Sequence, residues 1–137
     1  GVGQLSRLDA MIARRREIRE RYAATLGAVP GVRLLGRSFG DTDDDDSCWL
    51  TCIVLDPAVI RASADDVIAG LSGHFIEARH LWKPMHLQPL YAKAVAYGGS
   101  ASEALFATGI ALPSGSALTD TEIDRVIDET MTLLEAR

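Results

Sequence analysis

Cys48-Trp49-Leu50-Thr51-Cys52-Ile53-Val54-Leu55, followed by Asp56-Pro57, decides the fold class. The run is rich in β-branched and aromatic residues and is closed by a turn-forming pair, so it reads as a strand. Around it the hydrophobic period changes. Leu5, Leu8, Met11, Ile12, Ile18, Tyr22 and Leu26 fall at helical steps, predicting one long helix over about residues 4–27. Gly27 offers a stop for that helix and Pro30-Gly31 a turn, after which Val32 to Leu35 is a short strand candidate. The stretch 36–47 reads as loop.

Beyond Pro57, Ser63 and Asp66 have capping-box spacing and open a helix through Leu71, with Gly73 as its stop. Phe75 to Arg79 alternates like a strand. Residues 80–100 form a long irregular stretch, too aromatic and apolar to be disordered. Ser100 with Glu103, and Thr119 with Glu122, predict two further capping boxes, the second opening a helix faced by Ile123, Val126, Ile127, Met131 and Leu134. Between them Ile110 to Leu112 is a last strand, ended by Pro113-Ser114-Gly115. The order predicts an α+β fold, a small, mostly antiparallel sheet covered by helices. The long first helix reads as a connector whose other side packs on something outside the domain.

Size and charge set limits. A chain of 137 residues is room for one domain with a real core. No apolar run approaches the roughly 18 residues of a membrane span, and no signal peptide shows at the first residues. The net charge of −5 disfavours sequence-independent nucleic-acid binding, which relies on cationic neutralisation of phosphate. Arg14 to Arg16 and the acidic run Asp43 to Asp46 read as solvated surface; the run lacks the alternating spacing of a calcium loop. Cys48 and Cys52 lie about 13 Å apart if both sit in a strand, too far to bridge. They read as small buried apolar residues of a protein in a reducing compartment.

Chemistry concentrates in residues 79–91, Arg-His-Leu-Trp-Lys-Pro-Met-His-Leu-Gln-Pro-Leu-Tyr. Arg79 and Lys83 suit anionic oxygen, Trp82 a planar or sugar ring, and His86 a hydrogen bond near neutral pH. An anionic, ring-bearing ligand fits these types. The competing reading is a surface loop pinned to the core by Trp82, Met85 and Leu87. A metal held by His80 and His86 lacks a third ligand. No nucleophile elbow, phosphate loop or dinucleotide fingerprint appears.

The chain resembles the C-terminal small domain of the DegT/DnrJ/EryC1/StrS sugar aminotransferases. The resemblance rests on Gly3-Gln4-Leu5-Ser6-Arg7-Leu8-Asp9 with Ala13 to Ile18, on Ile76-Glu77-Ala78-Arg79, on Lys83-Pro84-Met85-His86-Leu87-Gln88-Pro89, and on Leu112-Pro113-Ser114-Gly115 with Leu118-Thr119. It covers nearly the whole chain. The Trp-Lys-Pro-Met-His form is similar to the perosamine and bacillosamine branch. The resemblance implies a single small domain over 1–137 and pyridoxal phosphate held by a large domain outside this chain. The Schiff-base lysine would also lie there, so this chain alone would be inactive and hold no cofactor. It further implies a homodimer, a cytoplasmic setting and amino transfer, from glutamate, to a keto nucleotide-sugar. Arg79, Trp82, Lys83 and His86 would then face the sugar-nucleotide, with no residue of this chain catalytic. The alternatives are a free-standing binding or interaction module, or a sugar dehydratase of the same family.

Overall fold

The computed structural model describes residues 2–36 and 46–135. Two helical pieces open the chain, α1 (Val2–Leu5) and α2 (Leu8–Thr25), with a 3-10 turn at Leu26–Ala28. Then come β1 (Val32–Leu34), β2 (Thr51–Leu55), α3 (Ala64–Gly73), β3 (Arg79–His80), α4 (Ser100–Thr108), β4 (Gly109–Leu112) and α5 (Asp120–Glu135). The strands form one antiparallel sheet in the order β1-β2-β4-β3. The α+β expectation holds.

The register divides the sheet into two faces. Thr51↔Leu112 and Ile53↔Ile110 are cross-strand partners. Since side chains alternate along a strand, these four share one face with Leu55, Val32 and Leu34. Ile18, Tyr22 and Leu26 of the first helical stretch, Val67 and Leu71 of α3, and Ile123, Val126 and Ile127 of α5 join them in one buried cluster. Leu50, Cys52, Ala111 and Arg79 belong to the other face. Both cysteines are buried.

Electrostatics brace the helical layer. Arg14 donates to Asp120 at 2.7 Å and to the Leu118 carbonyl at 2.8 Å, and Arg21 pairs with Asp120 and Asp124. The arginine run is therefore not only solvated surface: Arg14 ties α2 to the start of α5, where a carboxylate also complements the helix dipole. Arg19 is buried and pairs with Asp46 at 2.9 Å. The rest of the acidic run, Asp43 to Asp45, lies outside the described residues.

Asp66, Asp120 and Glu122 are each held below their ordinary values of 3.8, 3.8 and 4.5. The leading causes are the Ser63 hydroxyl for Asp66, Arg14 for Asp120, and the Thr119 backbone N–H for Glu122. A carboxylate with a lowered folded-state value adds stability that is complete above its unfolded value and lost as pH falls through the folded one. Thermal melts should therefore be flat from pH 7 to 5 and decline below about pH 4. Asp120→Asn should lower the plateau and flatten the acid limb. An acid limb unchanged by Asp120→Asn would remove the Arg14–Asp120 pair from the account.

Several sequence expectations need correction. The first helix is interrupted at Ser6-Arg7, where the Ser6 hydroxyl donates to the Gly3 carbonyl. The strand from Cys48 starts only at Thr51, because Cys48 takes φ +49 and turns the backbone. Two boxes form as expected: Asp66 N–H donates to the Ser63 hydroxyl oxygen and Ser63 N–H to the Asp66 carboxylate, and Thr119 and Glu122 repeat the exchange. The box at Ser100 does not form. Gly99, at φ +113, holds the cap position, and the Glu103 carboxylate is drawn to His86 instead. Ser63→Ala should cost about 1 kcal/mol, read as a lower denaturant midpoint at unchanged slope.

From Phe75 to Ala78 the chain keeps strand-like alternation, with Ile76 and Ala78 buried and Glu77 exposed, but only Arg79 and His80 pair with β4. The left-handed residue that ends α3 is Phe75 rather than Gly73. Ile76 N–H reaches the Leu71 carbonyl at 2.9 Å and Phe75 N–H the Ser72 carbonyl at 3.0 Å, the paired closure of a Schellman motif.

Candidate functional site

The open face of the sheet carries a cleft of about 500 Å3. Its floor is Leu50 from the lead into β2 and Ala111 to Pro113 from the end of β4. Glu77, Arg79, His80 and Trp82 from the third strand region form the wall, and Ser114 closes one end. The floor is rigid for a local reason. The Ser114 hydroxyl donates to the Leu112 carbonyl and accepts from the Thr51 N–H, both at 2.8 Å, locking the strand ends together. The Tyr22 hydroxyl donates to the Pro113 carbonyl at 2.9 Å from the core side. Burial pushes the Tyr22 phenol up and is also the leading cause that raises the Cys52 thiol.

Of the four residues singled out in the sequence, the cleft brings together Arg79 and Trp82. Trp82 is 69% exposed and stands beside Trp49, ring centroids 6.0 Å apart and planes tilted by 39°. Arg79 donates from Nε and Nη2 to one Glu77 oxygen, and both side chains are exposed. Lys83 is exposed beyond the cleft lining and has no ion pair among the described residues. His86 lies outside the lining too: its Nε2 meets Glu103 at 2.7 Å, and its ring packs where a side chain on Gly99 would sit. His86 thus straps the loop to α4.

The loop is not anchored as the surface-loop reading expected. Trp82 and Met85 are exposed and Leu87 is 40% exposed, whereas Leu81 and Pro84 are the buried anchors. His80 is 5.3 Å ring to ring from Phe106 and pairs with Asp65 at 2.8 Å, far from any partnership with His86. No cluster of three or more metal-ligating side chains occurs among the described residues.

Sequence reasoning missed Trp49, which lies outside the cleft lining but stands beside Trp82. It lies in the run read as strand, and only the β2–β4–β3 pairing carries it next to Trp82. It also missed Ser114, whose signal was the Pro-Ser-Gly turn read solely as a stop.

A pyridoxal cofactor needs an amine that burial or a neighbouring cation keeps unprotonated. The chain has only Lys83 and Lys93, and both are exposed. These residues do not fit the covalent seat of that cofactor.

The model of the DegT/DnrJ/EryC1/StrS aminotransferase family matches residues 1–131. EpsN of Bacillus subtilis, assigned as a pyridoxal phosphate-dependent aminotransferase, is 41% identical over 132 residues, 93% of this chain and 32% of its own length. GDP-perosamine synthase of Caulobacter vibrioides is 32% identical over 133 residues, again 93% of this chain and 33% of its own length. Among solved structures, the aminotransferase TlmJ of Streptoalloteichus hindustanus superposes with a TM-score of 0.81 at 28% identity, over 98% of this chain and 34% of that one. The chain thus spans about a third of the length of the relatives it matches. With the family model matched along nearly its whole length, the chain belongs to the DegT/DnrJ/EryC1/StrS aminotransferases.

Proposed function

We propose that this chain is the C-terminal small domain of a pyridoxal phosphate-dependent aminotransferase acting on a keto nucleotide-sugar, and that it supplies part of the sugar-nucleotide site. The single observation that carries the reading is the cleft that joins Arg79 to Trp82, whose ring has Trp49 beside it. A guanidinium serves a diphosphate or a sugar hydroxyl, and an indole serves as a flat wall for a ring. Lys83 and His86 belong to the same proposed set, Lys83 as a point charge at the rim. The cofactor and its lysine belong to the rest of the polypeptide, in keeping with the exposed setting of both lysines of this chain. The whole enzyme would be a cytoplasmic homodimer using glutamate as amino donor. An outer surface at the start of the chain supports a packing partner there: Val2 is 84% exposed, Leu5 66% and Leu8 41%.

The test is steady-state kinetics in the full-length enzyme. Trp82→Ala and Lys83→Ala should each raise KM for the nucleotide-sugar roughly tenfold, the size of a lost charge-assisted or stacking contact. Cofactor absorbance should not move, because on this reading the cofactor would be held by another part of the polypeptide. Unchanged KM in both variants would reduce this loop to packed surface.

A further inference from the structure

A second cleft, of about 380 Å3, adjoins the first and shares Glu77, Pro113 and Ser114 with it. Its other walls include Phe75, Leu118 and Arg125. Phe75 is unusual in two ways. It occupies the left-handed position of the Schellman closure at φ +58, where glycine is at home and a bulky residue is strained. It is also 95% exposed, so the strain is not offset by burial of the ring. Strain at a residue that packs against nothing points to a role outside the fold itself. Arg125, which lines the same cleft, gives one N–H to the His74 carbonyl, and the rest of its five-donor fork has no other partner among the described residues.

We propose that this second cleft is the seat of the nucleoside moiety of the ligand, with the base stacked on the Phe75 ring and Arg125 directed to the ribose or the adjoining phosphate. The proposal rests on the nucleotide-sugar reading of the first cleft and extends it by assigning the two halves of one ligand to two adjoining spaces. Glu77, Pro113 and Ser114 line both clefts and Arg79 lines the first, so a diphosphate joining the two halves would pass within reach of Arg79. The cleft volume falls in the range of about 300–1,000 Å3 found for small-molecule sites.

Phe75→Gly tests this cleanly, because glycine suits the backbone at this position and the fold should gain a few degrees in Tm. The probes are a nucleoside diphosphate, inorganic pyrophosphate and the complete nucleotide-sugar, titrated calorimetrically into the full-length enzyme. Phe75→Gly should weaken the nucleoside diphosphate and the nucleotide-sugar by about tenfold and leave pyrophosphate unchanged. Phe75→Trp should restore the affinity, and Phe75→Leu, apolar but without a ring face, should not. If Phe75→Gly binds the nucleoside diphosphate normally while Trp82→Ala still weakens the nucleotide-sugar, the second seat is wrong and the first cleft stands. If neither variant changes any titration, both readings fall. Loss of self-association in Phe75→Gly at unchanged affinity would make Phe75 a subunit contact and overturn the proposal.

Discussion

Gly109→Ala should cost about 3 kcal/mol and lower Tm by roughly 10 °C. The backbone at Gly109 is ordinary, φ −96 and ψ 140, so conformation is not the obstacle. Space is. A Cβ built there would sit 2.4 Å from the Leu105 carbonyl oxygen and 2.3 Å from Leu81 Cδ1. The first neighbour is backbone of α4 and cannot rotate away, and the second is a buried anchor of the loop. The substitution must part α4 from β4 or push Leu81 out, and Leu81 carries Trp82 with it. Stability and the cleft should suffer together. Gly73→Ala is the matched control: nothing lies within 4 Å of its Cβ, and a helical alanine is favoured over glycine. Equal melting curves for the two variants would show that β4 and α4 separate without cost.

Tyr22→Ala should cost about 4 kcal/mol, and Tyr22→Phe about 1 kcal/mol. Tyr22 is fully buried at the centre of the core cluster, so truncation leaves a cavity bounded by α2, the sheet and α5. The phenylalanine variant keeps the volume and loses only the hydrogen bond to the Pro113 carbonyl. That bond ends at the cleft floor, so Tyr22→Phe in the full-length enzyme should also show a small rise in KM at unchanged cofactor absorbance. The phenol adds an alkaline signature. Burial raises its folded-state value above the ordinary 10.0, so stability is complete below pH 10 and falls as pH rises beyond it. Tyr22→Phe should lose that limb. Denaturant midpoints for the three proteins at pH 7 and pH 10.5 measure both effects.

What could be read from the residues alone followed from how local the determining interactions are. The helices and their buried faces were legible because Ile18, Tyr22 and Leu26, or Ile123, Val126 and Ile127, repeat within a few turns. Two capping boxes were legible because they close within four residues. The third was not, since its outcome hangs on Gly99 and on His86, both outside the motif. The strand at Cys48 was drawn too long because propensity does not register a residue at φ +49. In the site, Arg79 and Trp82 stood out by residue type. Trp49 did not, because its neighbour is supplied by strand pairing across the sheet. Phe75 read as the start of a strand, and only the helix closure exposes its position as one made for glycine.

The two outermost strands carry a last consequence. β1 has three residues and β3 two, and an arginine, Arg33 or Arg79, sits in each. A sheet margin with long unpaired N–H and C=O rows templates addition of foreign strands; short, charged margins do not. The four-stranded sheet therefore offers short, charged margins that discourage growth on either side. Self-association by edge-to-edge strand addition is disfavoured, even where the tryptophans and Phe75 stand in water.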